Sequence, residues 1–176
     1  MRLFTGISLP PEASAPLIAL TDHLRPLAPL AWTPVEKLHI TTKFIGEWPE
    51  SRLTELQQVL SEVTSSEPVD IHIRRLGWMP NPRFPLTLHA GVQISGDLAA
   101  RTEDLLDGLG ILKEKRAYYP HVTLGRIRRK SDPIDKLQAE IARTDLDIAP
   151  FRATDFHLYL SANGTYTKLS NYPLPS

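Results

Sequence analysis

A short motif that occurs twice constrains the fold of this chain more than any other feature. The first copy is Leu38-His39-Ile40-Thr41 and the second is Pro120-His121-Val122-Thr123. Ile, Val and Thr favour extended backbone, so each copy predicts the centre of a β-strand. Because side chains alternate along a strand, each histidine shares a face with the threonine two residues later, while Ile40 and Val122 point to a core. Two such strands can line the two walls of one cleft.

The residue types in the motif indicate acid/base chemistry. Two imidazoles that face one ligand form a natural acid/base pair, because histidine titrates near neutral pH. A single His-x-Thr segment in a strand is common, and its histidine is more often a surface or core residue than a catalytic one. The duplication in a small chain favours the catalytic interpretation and selects His39, Thr41, His121 and Thr123.

Length and composition set the remaining limits. The 176 residues suit a single domain over 1–176. Twenty basic and twenty acidic residues give a net charge of zero, which argues against a broad electrostatic grip on duplex nucleic acid but allows a local basic cleft. No cysteine is present, so a disulfide framework and a thiolate zinc site are excluded. With neither a signal peptide nor a long apolar segment, we expect a cytoplasmic protein without a membrane span.

The order of the predicted elements indicates an α+β fold. Helical periodicity and end signals predict helices near residues 11–26, 51–63, 97–109 and 133–142. Apart from the two motif strands, strands are predicted near 2–9, 69–76, 86–94, 151–160 and 165–169, the last two joined by Asn163-Gly164 as a hairpin. Each motif strand is followed by a helix and lies in its own half of the chain. This arrangement predicts two similar lobes with a cleft between them.

Two residues outside the motifs, Lys43 and Trp78, have two interpretations each. Strict alternation places Lys43 on the face of His39, where it contacts a phosphate or is a solvated strand end. Trp78 lies in a predicted loop over 77–85 and either stacks on a nucleobase or caps the core. His89 lies within a predicted strand but lacks the motif, and His72 belongs to a solvent face.

Several stretches resemble the two-histidine phosphoesterase superfamily, and in particular its LigT/ThpR branch of RNA 2′,3′-cyclic phosphodiesterases. The two histidine motifs with their extensions are the specific part of the resemblance. The stretches are Arg2-Leu3-Phe4 with Leu9-Pro10, residues 38–46, Ala90-Gly91-Val92, residues 120–126, and Gly164-Thr165-Tyr166 with Tyr172-Pro173-Leu174. They follow the family order over almost the whole chain.

The resemblance implies a bilobed α+β fold of antiparallel sheet and helices around a central cleft, without a metal or another cofactor. It implies hydrolysis of a 2′,3′-cyclic phosphodiester, on an RNA end or a small cyclic nucleotide, to a 2′-phosphomonoester by a monomeric enzyme. By the same resemblance His39 is the proton donor and His121 the proton acceptor, while Thr41 and Thr123 hold the phosphate oxygens. Arg126 matches a family arginine at the substrate.

Arg126 also has a structural interpretation, and the function has rivals. Strict alternation turns Arg126 away from His121, so it reaches the cleft only if the strand ends or bulges at Gly125; otherwise it forms a structural ion pair. The rival functions are a non-catalytic RNA-end binding module, a reversible 2′-5′ RNA ligase, and a metal-dependent hydrolase that uses His39, His121 and a third histidine. No spacing typical of a metal site supports the last of these.

Overall fold

A single antiparallel sheet runs through the computed structural model, which describes residues 1–176. It has nine strands in the spatial order β7-β4-β5-β6-β3-β1-β8-β9, with the short β2 paired to β6. The strands are β1 (Arg2–Ser8), β2 (Ala31–Trp32), β3 (His39–Glu47), β4 (Val69–Asn81), β5 (Phe84–Ile94), β6 (His121–Arg126), β7 (Phe151–Ala153), β8 (Asp155–Ala162) and β9 (Thr165–Pro173).

The sheet consists of two halves of four strands that meet at the motif strands. One half is β7-β4-β5-β6 and the other is β3-β1-β8-β9. Only the pair Ile40 and Val122 joins β3 to β6. The predicted α+β fold with two pseudo-symmetric halves is therefore confirmed, and the predicted cleft lies where the halves meet.

Four α-helices cover the sheet: α1 (Pro11–Leu24), α2 (Leu53–Ser61), α3 (Leu98–Asp107) and α4 (Asp135–Arg143). In α1, proline stands at the first position and Glu12 in the first turn, where the missing amide and the negative charge are both favourable. The buried residues Ala13, Leu17 and Leu24 recur with the helical period and join the main hydrophobic core. No helix has the length and apolar character needed to cross a membrane.

The predicted loop over 77–85 is wrong, because β4 and β5 continue through it to a tight turn. Two backbone amides, those of Arg83 and Phe84, donate to the Asn81 side-chain oxygen at 3.0 Å and close this turn. Prolines in the segment hid the strands; Pro80 and Pro85 lie beside a register shift at the hairpin end, where proline is tolerated. Trp78 is buried in the core, which excludes its interpretation as a base-stacking residue.

Both motif strands contain a β-bulge directly after the threonine. In β3, Thr41 lies opposite Gly6 and Lys43 lies opposite Thr5, so Thr42 is the extra residue. In β6, Leu124 is extra in the same way against β5. A bulge shifts the alternation by one residue, and therefore every side chain beyond it changes face.

Candidate active site

The site lies at the seam between β3 and β6. Because the two strands are antiparallel and Ile40 faces Val122, the flanking pairs are His39 with Thr123 and Thr41 with His121. All four polar side chains line one central cavity of about 460 Å³. This volume is within the usual range of small-ligand sites.

Each imidazole is held by the backbone carbonyl two residues before it. The Nδ1 atom of His39 is 2.6 Å from the Lys37 carbonyl oxygen, and that of His121 is 2.8 Å from the Tyr119 carbonyl oxygen. A carbonyl only accepts, so Nδ1 carries the proton in both rings. Each Nε2 is left for chemistry in the cavity, and that of His39 lies 3.0 Å from the Thr41 hydroxyl.

The pKa values of both histidines lie below the ordinary value. Burial is the largest cause of the low pKa of His39, opposed by its bond to the Lys37 carbonyl and reinforced by the charges of His121 and Arg126. Burial and Arg126 likewise lower the pKa of His121, against its bond to the Tyr119 carbonyl. The pair therefore resists double protonation, so one ring can act as a base while the other carries a proton.

The central cavity is positively charged although the whole chain is neutral. Arg2, Lys37 and Arg126 line it together with the two histidines, and no aspartate or glutamate does. Cations without carboxylates in a partly closed cavity concentrate positive potential and select an anion. A phosphate ester suits such a cavity.

Aromatic rings surround the His39 side of the cavity. The ring centroids of Phe4 and Tyr166 lie 4.9 and 5.3 Å from that of His39, and both residues line the cavity. Phe44 also lines it and leaves its side chain exposed. An exposed ring beside a phosphate site offers a stacking surface for a nucleobase.

Lys43 is not in the cavity, so both of its predicted roles are wrong. Its side chain is 1% exposed, and its Nζ donates to Glu103 at 2.6 Å and to the Leu112 carbonyl at 2.9 Å. The bulge at Thr42 turns Lys43 toward α3 and the loop that follows this helix. Thr42 is itself buried and forms a 2.7 Å hydrogen bond with Thr5.

Arg126 reaches the cavity because β6 contains the bulge that this position required. The irregularity lies at Leu124, one residue before the glycine that we expected. It returns Arg126 to the face of His121, and the side chain lines the cavity. Gly125 allows the close approach of the chain before β2, since a Cβ there would lie 3.1 Å from Leu30 Cδ2.

Sequence reasoning missed several residues of the site. Arg2, Lys37, Phe44 and Tyr166 line the cavity and were not selected. The sequence contained one signal for the residues that hold the imidazoles, because Lys37 and Tyr119 each lie two residues before a motif histidine.

The structure contains no group of three or more histidine, cysteine, aspartate or glutamate side chains that could hold a metal ion. Among the remaining histidines, His72 pairs with Asp147.

The fold and the cavity together define a class of protein, an α+β scaffold with two imidazoles in a cationic cavity that suits a phosphate ester. The chain belongs to the 2′-5′ RNA ligase superfamily, whose model matches residues 9–165. It is 30% identical over 164 residues to the RNA 2′,3′-cyclic phosphodiesterase of Methanocaldococcus jannaschii, covering 92% of this chain and 91% of that one. The corresponding protein of Archaeoglobus fulgidus is 31% identical over 137 residues, which is 76% of this chain and 77% of the relative.

Solved structures share the fold. The crystal structure of TT0787 of Thermus thermophilus superposes with a TM-score of 0.82 at 24% identity, over 98% of this chain and 97% of the other. LigT of E. coli, complexed with 3′-AMP, superposes with a TM-score of 0.76 at 21% identity, over 99% and 98%. These similarities confirm the expected architecture.

Proposed function

We propose that this protein hydrolyses the 2′,3′-cyclic phosphodiester at an RNA end to a 2′-phosphomonoester without a metal ion. One observation carries the proposal: two imidazoles present Nε2 to a single cationic cavity without carboxylates. The curated relatives named RNA 2′,3′-cyclic phosphodiesterase support the substrate class.

The proposed reaction uses each imidazole once. The neutral Nε2 of His121 takes a proton from water as the water oxygen bonds to phosphorus. The bond from phosphorus to the 3′-oxygen breaks, and the protonated Nε2 of His39 donates its proton to that oxygen. The product is a 2′-phosphomonoester and a free 3′-hydroxyl, and solvent restores both imidazoles. Each proton transfer contributes typically ~10²–10⁴-fold to the rate.

Three other side chains stabilise the negative charge on the non-bridging phosphate oxygens. Thr41 and Thr123 lie in the cavity beside the imidazoles and donate their hydroxyl hydrogens to the non-bridging oxygens. The Arg126 guanidinium provides positive charge for the same oxygens. Donors that are in place before the reaction cost no reorganisation when charge develops.

The test is turnover of an oligonucleotide that ends in a 2′,3′-cyclic phosphate, in excess chelator, with the phosphate isomer identified by ³¹P NMR. We expect a 2′-phosphate from the wild type, and loss of at least about 10²-fold in rate from His39→Ala and from His121→Ala. His72→Ala, which removes a histidine outside the cavity, is the matched control. Near-normal rates in either cavity variant would refute the paired mechanism, and loss of wild-type activity with the chelator would favour the metal-dependent alternative.

The two roles are separable with a substrate whose 3′-bridging atom is sulfur. A thiolate leaves without a proton, so this analogue no longer needs the acid. His39→Ala should then lose little activity, whereas His121→Ala should remain inactive. The opposite result would reverse the assignment of acid and base.

Ligation and simple binding are the rival activities. If the 5′-hydroxyl of a second RNA attacks the cyclic phosphorus in place of water, the bond to the 3′-oxygen breaks and a 2′-5′ linkage forms, and the superfamily is named for RNA ligase activity. Water at high concentration favours hydrolysis, so ligated product should form only with excess 5′-hydroxyl RNA. A protein that binds the cyclic end but does not turn it over would be the binding module.

The enzyme proposed here acts as a monomer in the cytoplasm and accepts small cyclic nucleotides as well as RNA ends. One chain supplies every residue of the cavity. A chain without cysteine is compatible with a reducing compartment. Sedimentation at working concentration tests the monomer, and a 2′,3′-cyclic mononucleotide tests the smaller substrate.

A further inference from the structure

We propose that His89 is a positioning residue for His121 and acts on it through Tyr119; the inference rests on the function proposed above. His89 lies in β5 directly opposite Thr123 of β6, so it points to the face of the sheet that carries the two imidazoles. His89 is 4% exposed and does not line the cavity. It therefore lies behind the reactive groups and out of reach of a substrate.

Tyr119 connects the two histidines. The Nε2 atom of His89 is 3.1 Å from the Tyr119 hydroxyl oxygen, and the backbone carbonyl of the same tyrosine accepts Nδ1–H of His121 at 2.8 Å. The rings of His89 and His121 also meet edge to face, with centroids 5.7 Å apart. One residue thus carries both the acceptor that fixes the His121 tautomer and the hydroxyl that His89 holds.

An imidazole at position 89 has a cost that a purely apolar ring would not have. The Nδ1 atom of His89 is buried without a hydrogen-bond partner. An unpaired buried polar atom destabilises the folded state. A phenylalanine would fill a similar volume without this cost, so packing alone does not account for the histidine. The hydrogen bond between His89 and the Tyr119 hydroxyl explains why a histidine occupies this position.

The other half of the sheet has no counterpart of His89. Gly6 lies opposite Thr41 as His89 lies opposite Thr123. A Cβ on Gly6 would be 2.8 Å from a backbone carbonyl oxygen of β3 and 3.4 Å from Cδ2 of His39, so no side chain fits there. The support from β5 is therefore specific to the imidazole that we propose as the base.

His89 does not compete for the proton that His121 takes up. Burial, together with the charge of His121, lowers the pKa of His89 to about 4. The charged or titrating groups around His121 are His39 on β3, Arg126 on its own strand and His89 on β5, and no carboxylate contributes to its pKa. Loss of the hydrogen bond between His89 and Tyr119 should therefore alter the orientation and the pKa of His121. It should not remove a group that itself carries a proton in the reaction.

The experiment compares His89→Phe, Tyr119→Phe and the double variant, with His72→Phe as the matched histidine control. We expect each single variant to lower kcat about tenfold with KM within about twofold, because a small misplacement of the base affects chemistry more than binding. The double variant should be no slower than the singles, since both remove the same bond. His89→Gln, which retains a hydrogen-bonding group, should recover part of the rate. The acidic limb of the kcat/KM profile should shift in His89→Phe.

A second measurement reads the base directly. Nitrogen-15 NMR of the His121 ring should report the Nδ1–H tautomer in the wild type and a mixed tautomer or a shifted pKa in His89→Phe and Tyr119→Phe. Unchanged kcat, pH profile and ring spectrum in these variants would overturn the positioning role. Tyr119→Phe removes only the hydroxyl of an exposed residue, so it tests the inference even if His89→Phe does not fold. The ring spectrum also needs no turnover, and a wild type that leaves the cyclic phosphate intact would refute the proposed function alone.

Discussion

Replacing Lys43 with methionine should destabilise the protein and leave the chemistry of the cavity intact. The buried ammonium donates to Glu103 and to the Leu112 carbonyl. A hydrogen bond to a charged group contributes about 1.5–3 kcal/mol, and removing one member of a buried ion pair costs about 3–5 kcal/mol. The Glu103 side chain is 23% exposed and regains water, so we expect a loss of about 2–3 kcal/mol.

Urea unfolding measures this loss, and thermal unfolding should show a Tm about 4–12 °C lower for a chain of this size. Lys113→Met is the matched control, because Lys113 pairs with Asp104 at the surface, where the two side chains are 49% and 66% exposed. That variant should change stability by less than about 1 kcal/mol. A large fall in kcat/KM of Lys43→Met with an unchanged free energy of unfolding would refute this reasoning. It would indicate that Lys43 contacts the substrate.

The same pair predicts a pH dependence of the loss. Burial raises the pKa of Glu103, but hydrogen bonds from Lys43 and from the Glu114 amide outweigh it, so the pKa lies below its usual value. A carboxylate with a lowered pKa stabilises the folded state above its ordinary pKa and loses this contribution as the pH falls. The difference in unfolding free energy between wild type and Lys43→Met should therefore shrink as the pH falls from neutral through the lowered pKa of Glu103.

The remaining predictions concern the cavity. Thr41→Ala and Thr123→Ala should each lower kcat by about 10²-fold, with partial recovery in the serine variants, because each removes one donor to the phosphate; equal activity would show that the hydroxyls do not touch it. Arg126→Gln should lower kcat/KM and weaken its dependence on salt, measured between low and moderate ionic strength; an unchanged salt dependence would exclude a phosphate contact. In excess chelator, kcat/KM should follow a bell-shaped pH profile with limbs below the ordinary histidine value of about 6.5, since burial lowers the pKa of both His39 and His121. The limbs belong to the pair, and a flat profile from about pH 5 to 9 would contradict two-histidine catalysis.

The central part of the site was predictable because strand alternation is a local property. Ile40 and Val122 are apolar residues between polar ones, and this pattern alone places His39 and His121 on the polar face of their strands. That both faces belong to one cavity required the pairing of Ile40 with Val122, which no local pattern contains. The duplication suggested the pairing, and the resemblance supported it.

The errors have a physical cause in backbone irregularity. Counting by twos fails after one inserted residue, and the bulges at Thr42 and Leu124 reverse the prediction for Lys43 and Arg126 in opposite senses. Neither bulge has a glycine at the inserted position, so composition did not reveal it. In the β4–β5 hairpin, proline was interpreted as a strand breaker, although Pro80 occupies the register shift where a missing amide is tolerated.

The position of the bulges is also consistent with the asymmetric reaction that we propose for the duplicated motif. General acid and general base need opposite protonation states, which two equivalent strands would not provide. Beyond the two equivalent bulges, the third residue after each motif threonine returns to the cavity, and it is Phe44 in one half and Arg126 in the other. An aromatic ring suits a nucleobase and a guanidinium suits a phosphate, so the two walls favour a single orientation of a nucleotide. We expect the leaving oxygen and the attacking water to face different imidazoles in that orientation, and this difference would distinguish His39 from His121 in the proposed reaction.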